Sequence, residues 1–191
     1  MTMQMLDVFT FQGERVEAIA ISQRFDFSPK RNFGIETEPW MTANYRGFIC
    51  EYSLDEAFTV QNLFLFSRNQ YYPPVMGIEA ELDPVYETIY ESVGKSGLGP
   101  RQYNGINYNT GYSGAIVIGV EPVRKRREPE QYRQVLELRY RCGFLSETRD
   151  ITELWREARR EDGKCDAEYW WMKEKNNYFY LINFAFMGLE N

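Results

Sequence analysis

The chain has 191 residues, 43% hydrophobic and 26% charged, a globular composition at a length that one domain accommodates. It contains no histidine, which excludes Ser-His-Asp and Cys-His nucleophiles, imidazole metal ligands and imidazole acid–base chemistry. A net charge of −6 weighs against a surface built to neutralise phosphates or an anionic bilayer, so neither nucleic acid nor membrane is an expected partner.

The charge is uneven along the chain. Residues 1–100 hold 7 Lys and Arg against 14 Asp and Glu, whereas residues 101–191 hold 15 against 14. An acidic first half of this kind steers a basic partner.

In chain order, Phe48, Cys50, Tyr52 and Leu54 alternate with Gly47, Ile49, Glu51 and Ser53, which predicts a strand with one apolar face. Asp55-Glu56-Ala57 then makes a hairpin connection to a second strand over 59–66, with Val60, Phe64 and Phe66 on one side. Ile78, Ala80 and Leu82 alternate with Glu79, Glu81 and Asp83, a half-buried strand with an acidic face. A short helix fits 83–92. Residues 94–114, rich in Gly, Pro and Asn, read as the longest loop. Residues 115–120 have no polar face and read as a strand buried on both sides, or as a buried helix. Leu136, Leu138, Tyr140 and Cys142 alternate with Glu137, Arg139 and Arg141 and run into Gly143 and Phe144-Leu145, a tight hairpin.

Helical spacing follows at Ile151, Leu154, Trp155 and Ala158, with Asp150 and Glu153 at the start and Gly163 as a stop. A further short helix fits 166–173, and 178–186 read like 115–120. These elements predict a single α+β domain over 1–191. Its sheet is mainly antiparallel, sandwich or barrel-like, with one or two peripheral helices.

Four segments carry a resemblance: Tyr45-Arg46-Gly47-Phe48-Ile49-Cys50-Glu51-Tyr52, then Pro74-Val75-Met76-Gly77-Ile78-Glu79-Ala80, then Tyr112-Ser113-Gly114-Ala115-Ile116-Val117-Ile118, and Val135-Leu136-Glu137-Leu138 followed by Gly143. In this order they resemble a family of small uncharacterised bacterial proteins over about residues 40–148. The resemblance brings no activity with it. By analogy, small acidic bacterial proteins of this kind look like immunity or other partner-binding proteins. After the Ile-Val-Ile strand that family continues into an aromatic and acidic segment, where this chain has Arg124-Lys125-Arg126-Arg127.

Gly94-Lys95-Ser96 is like the end of a phosphate-binding loop, yet Ile89 stands where that loop needs glycine. Gly97-Leu98-Gly99 lacks the third glycine of a dinucleotide fingerprint, since Gln102 follows. Both read as turns. The run Arg124–Arg127 is flanked by Glu121, Glu128 and Glu130 and reads as a solvated loop. Three cysteines without a Cys-x-x-Cys pair predict neither a disulfide framework nor a zinc site. Cys50 and Cys142, at apolar strand positions, read as buried free thiols, which suits a reducing compartment. No charged segment precedes an apolar one near the start, Arg15 being the first basic residue, and the most apolar run falls short of the about 20 residues of a spanning helix. Cytoplasm is the expected location, and no metal or cofactor is expected.

The candidate site residues are carboxylates and aromatics. Glu79, Glu81 and Asp83 share one strand face and suit a basic partner, a hard cation or acid–base work on a glycoside. Tyr71 and Tyr72 before Pro73-Pro74, the series Tyr103, Asn104, Tyr108 and Tyr112, and Tyr169-Trp170-Trp171 offer wide contact area with a polar handle. The expected function is a non-enzymatic cytoplasmic protein that binds another, basic protein, of inhibitor or immunity type. The alternatives are a small-molecule or carbohydrate-binding module at Tyr103, Asn104, Tyr108 and Tyr112, and a carboxylate-based hydrolase at Glu79, Glu81 and Asp83.

Overall fold

The computed structural model describes residues 7–39, 44–82, 99–122 and 132–160. Asp83, Gly94-Lys95-Ser96, Arg124–Arg127, Cys165, Tyr169-Trp170-Trp171 and the elements expected over 83–92, 166–173 and 178–186 lie outside them. The fold is α+β and mainly antiparallel: every ladder described below is antiparallel, and the helices are short. The chain forms two compact units, one of residues 1–8, 27–53 and 59–109, the other of 9–26, 54–58 and 110–191.

The second unit begins with a hairpin that sequence reading passed over, β1 (Val8–Phe11, its first residue counted with the other unit) and β2 (Glu14–Ile21), turning at Gln12-Gly13. φ values of 53° and 78° there supply the positive pair that a two-residue type I′ hairpin requires. In the first unit, Ser28 caps a five-residue helix, α1 (Pro29–Phe33): its Oγ accepts from the Arg31 amide, and Pro29 enters with φ already helical. Gly34 ends α1 at φ 71°, its amide donating to the Lys30 carbonyl.

The first unit's sheet runs β5 (Glu81–Leu82), β6 (Arg101–Asn109), β4 (Thr59–Leu65), β3 (Phe48–Ser53). β3 buries Phe48, Cys50 and Tyr52 as its period-2 pattern requires. β4 departs from its pattern. Val60 is buried, but Leu63 and Leu65 then take the inner face in place of Phe64 and Phe66, which are half-buried. The cause is a bulge in β4 itself: Tyr52 faces Val60 and Glu51 faces Asn62, so Gln61 is an extra residue and the parity of β4 switches there. On the other side Val60 faces Tyr108 and Asn62 faces Asn104, so β6 carries a bulge of its own. Gly105 at φ 73° and Asn107 at φ 47° accommodate it. What composition marked as a loop within 94–114 is therefore, over 101–109, a bulged strand. Gly47, at φ 70°, has no room for a side chain, because a Cβ would lie 2.3 Å from the Glu38 carbonyl oxygen.

In the second unit the order is β1, β2, β7 (Gly114–Pro122), β8 (Tyr132–Arg141), β9 (Phe144–Asp150), and a second helix, α2 (Thr152–Arg160), follows. Residues 115–119 are buried throughout, in keeping with their apolar run. Ile19, Ala20, Val117, Tyr132, Val135, Ile151 and Trp155 form the core, with Leu154 against it. Gly119 leaves the space that the Tyr132 ring fills, where a Cβ would sit 2.4 Å from a ring carbon. β8 and β9 join at Cys142-Gly143 with φ 49° and 83°. That position corrects the reading of Cys142 as a buried thiol: as the first turn residue it leaves the alternation and is exposed. The simple two-faced reading of β8 also fails at Glu137, which is 3% exposed because α2 packs over part of this strand's other face.

Candidate functional site

The first unit gathers most of the predicted site residues at one end of its sheet. Tyr71 leads into Tyr72-Pro73-Pro74 and then a two-residue turn, Met76-Gly77, closed by Val75 and Ile78 through reciprocal backbone bonds of 2.9 Å. φ values of 53° and 81° put this turn in the same positive pair as the two hairpins. Asn or Gly enters that conformation readily, whereas a side chain such as methionine costs about 1–2 kcal/mol there. Val75 is buried and anchors the turn, which holds Met76 63% exposed, while Tyr71 is 62% exposed.

Tyr72 is fixed: its hydroxyl donates to the Gly99 carbonyl (2.9 Å) and accepts from the Ser67 amide, and Arg101 lies over its ring at 5.6 Å. The Tyr103 ring is fully buried, and its hydroxyl donates to the Pro73 carbonyl at 2.9 Å. Burial first, then Tyr72 and Glu79, push the Tyr103 phenol up to about 12; Arg101 opposes the shift and Tyr71 adds to it. One hydroxyl thus feels Tyr71, Tyr72 and Glu79 together.

Regular pairing covers only Glu81–Leu82 of the acidic strand expected over 78–83, because Ile78 closes the Met76 turn. Glu79 and Glu81 are exposed and meet no cation among the described residues. Glu81 accepts from Asn104 Nδ2 at 3.4 Å. The polar row continues along the sheet: the Gly105 amide donates to Asn62 Oδ1 at 2.8 Å, and Asn62 Nδ2 donates to Glu51 Oε2 at 2.5 Å. Glu51 and Glu81 are thus each met by a side-chain amide.

Tyr108 lies elsewhere in the unit. Its hydroxyl accepts from Asn32 Nδ2 at 3.0 Å, and its ring meets Phe33 at 5.0 Å and Phe27 at 6.0 Å. Tyr112 belongs to the second unit, where it is 6% exposed, donates to the Ala115 carbonyl and packs with Phe25, Phe58 and Tyr140. Of the four residues expected to line a ligand pocket, Tyr103 and Tyr112 thus spend their rings and hydroxyls on the fold.

The raised phenols carry a pH consequence. A tyrosine whose native pKa exceeds its unfolded value of about 10 contributes stability that is whole below pH 10 and lost as pH rises through the native value. For Tyr103 that window runs from 10 to about 12, and Tyr52, Tyr112 and Tyr140 shift in the same direction, each chiefly by burial. Alkaline titration is expected to show late tyrosinate absorbance rising together with loss of the near-ultraviolet circular dichroism. Full tyrosinate formation near pH 10 with the dichroism intact would contradict this.

Two other clusters were not legible beforehand. In the first unit Asp7, its side chain 2% exposed, accepts from Arg46 Nη1 (3.0 Å), Arg46 Nη2 (2.6 Å) and the Cys50 amide (2.9 Å). Burial works against the Arg46 charge, but the Asp7 carboxylate more than offsets it and the guanidinium pKa is raised. Burial, then Asp7, pushes the Cys50 thiol up, so this thiol is not poised as a nucleophile. In the second unit a concavity lies at the start of α2, lined in part by Glu121, Arg133, Gln134, Asp150 and Glu153. Its polar groups bind one another or their neighbours: Arg133 to Glu121 at 3.0 Å, Gln134 to Asp150 at 2.8 Å, Arg156 to Glu153 at 2.6 Å. Hydrogen bonds from Gln134 and Thr152 hold the Asp150 carboxyl below its usual range.

Among the described residues no group of three His, Cys, Asp or Glu is placed to hold a metal ion, and no helix is long and apolar enough to cross a membrane. Comparison with family models, curated proteins and solved structures finds no match to this chain.

Proposed function

We propose that this chain is a non-catalytic binding protein of the cytoplasm, of inhibitor or immunity type. It takes a basic protein partner on the surface formed by Tyr71, Met76, Glu79 and Glu81. The observation that carries this reading is the Met76-Gly77 turn. It keeps a large apolar side chain 63% exposed, in a backbone conformation that favours asparagine, on the same loop as an exposed Tyr71. Neither the core nor the turn gains from methionine there, and strain of this kind is more often kept by a site than by a fold. Methionine and tyrosine are the side chains of adaptable contact surfaces, and Glu79 and Glu81 supply the charge that draws a basic partner.

Met76→Asn tests the idea without harming the fold, since asparagine suits the turn. Tagged wild-type chain is expected to retain one stoichiometric partner from a lysate of its own source at low salt and to lose it at high salt. Met76→Asn and Tyr71→Ser are each expected to weaken the purified pair by about tenfold or more, and Glu79→Lys/Glu81→Lys to abolish it. Binding indifferent to salt and to all three changes would remove this surface from consideration.

A further inference from the structure

We propose that the outer edge of β9 pairs antiparallel with β9 of a second copy of this chain, centred on Thr148, to give a symmetric dimer. This rests on the second unit alone and is independent of the binding surface proposed above. β9 is the last strand of its unit's order, and Ser146, Glu147, Thr148, Arg149 and Asp150 are all exposed. The beginning of its outer edge is occupied: the Phe58 amide donates to the Gly143 carbonyl at 2.7 Å and the Leu145 amide to the Glu56 carbonyl at 2.9 Å. At the other end the Ile151 amide turns inward to the Val135 carbonyl at 2.9 Å and α2 begins. Among the described residues the open stretch is therefore 146–150, and Thr148 is its midpoint.

The backbone sets the same centre. With Ile151 pointing inward, strand alternation turns the amides and carbonyls of Asp150 and Thr148 outward. A two-fold axis at Thr148 makes Thr148 face Thr148 of the second copy as a hydrogen-bonded pair, and Asp150 face the bulged end of β9, where Ser146 is an extra residue against Arg139 and Tyr140.

The charges agree with this register and oppose its neighbours. Glu147 then stands opposite Arg149 of the second copy, in the closer, non-hydrogen-bonded type of pair. Within each chain β8 already places Glu137 across from Arg149 and Arg139 across from Glu147, with Arg139 3.8 Å from the Glu147 carboxylate. Crossing both copies, one row reads Glu137, Arg149, Glu147, Arg139, alternating in sign over four strands. Moving the axis to residue 147 sets Glu147 against Glu147, and to 149 sets Arg149 against Arg149. The edge carries neither lysine nor proline, and its charges Glu147 and Arg149 fall in opposite-sign pairs in this register.

Sedimentation of the full chain is expected to give twice the 22.7 kDa of one copy. Glu147→Arg sets arginine against arginine, and Arg149→Glu sets glutamate against glutamate, so each variant is expected to sediment as a monomer. An equimolar mixture of the two restores both pairs and is expected to recover the dimer. Thr148→Pro, which removes only an outward amide, is expected to stay folded and monomeric. A wild-type chain that is monomeric at every concentration overturns the proposal, as does a dimer that survives Thr148→Pro. Failure of the mixture to re-form the dimer overturns the register.

Discussion

Asp7→Ala is expected to destabilise the protein by about 3–5 kcal/mol, read as a lower urea midpoint. The reason is what it leaves behind. Arg46, its side chain 14% exposed, loses the carboxylate that holds both of its outer nitrogens, and the Cys50 amide loses its acceptor. The guanidinium then stays buried without the Asp7 carboxylate, stacked on the Phe48 ring at 4.6 Å, or swings out and opens a cavity beside β3. Removing both charges is a different experiment: Asp7→Leu/Arg46→Met replaces the pair by apolar groups of similar bulk and is expected to recover much of that loss, short of the about 1–3 kcal/mol of the Cys50 amide's missing acceptor. A single variant that loses less than about 1 kcal/mol would mean that Arg46 finds water at little cost.

That pair shows why part of the molecule was hidden from sequence reading. Asp7 and Arg46 are 39 residues apart, and no local period joins them. The alternation in β3 and β8 and the i, i+3, i+4 spacing around Trp155 were legible because each is a local rule imposed by one apolar face. Bulges defeated the same rule in β4, where parity switches at Gln61, and residues 101–109 were hidden because glycine and asparagine served a bulged strand rather than a loop. The β1–β2 hairpin and α1 were legible in principle, from Gln12-Gly13 between alternating runs and from Ser28-Pro29 with Gly34.

At the candidate site Tyr71, Glu79 and Glu81 are exposed, the two glutamates in keeping with their alternation against Ile78, Ala80 and Leu82. Tyr103 and Tyr112 look no different in sequence from Tyr71, yet they are buried. A phenol goes inside only where the fold brings a carbonyl to its hydroxyl, here Pro73 and Ala115, and that depends on pairing that the sequence does not display. Met76 escaped notice for the opposite reason: a methionine reads as core until its φ of 53° is known.

Trp155→Ala is expected to cost about 3–5 kcal/mol, the range for emptying a fully buried aromatic site. Trp155 is 1% exposed and is the side chain by which α2 joins Ile19, Val117, Tyr132 and Val135. The polar contacts at the start of α2 do not replace it. Thr152 Oγ1 accepts from the Val135 amide at 2.9 Å, and Asp150 accepts from the Thr152 amide at 2.9 Å, but these fix only the first turn. A nine-residue helix is too short to persist in water without packing, so the loss of Trp155 is expected to free α2 as well as lower the midpoint. Hydrogen exchange separates the two effects. Amides of α2 are expected to lose protection even where β7 and β8 keep theirs, because β7 and β8 pair with each other along their length. Unchanged protection in α2 together with a midpoint shift below about 1 kcal/mol would show that the helix is held by something other than Trp155.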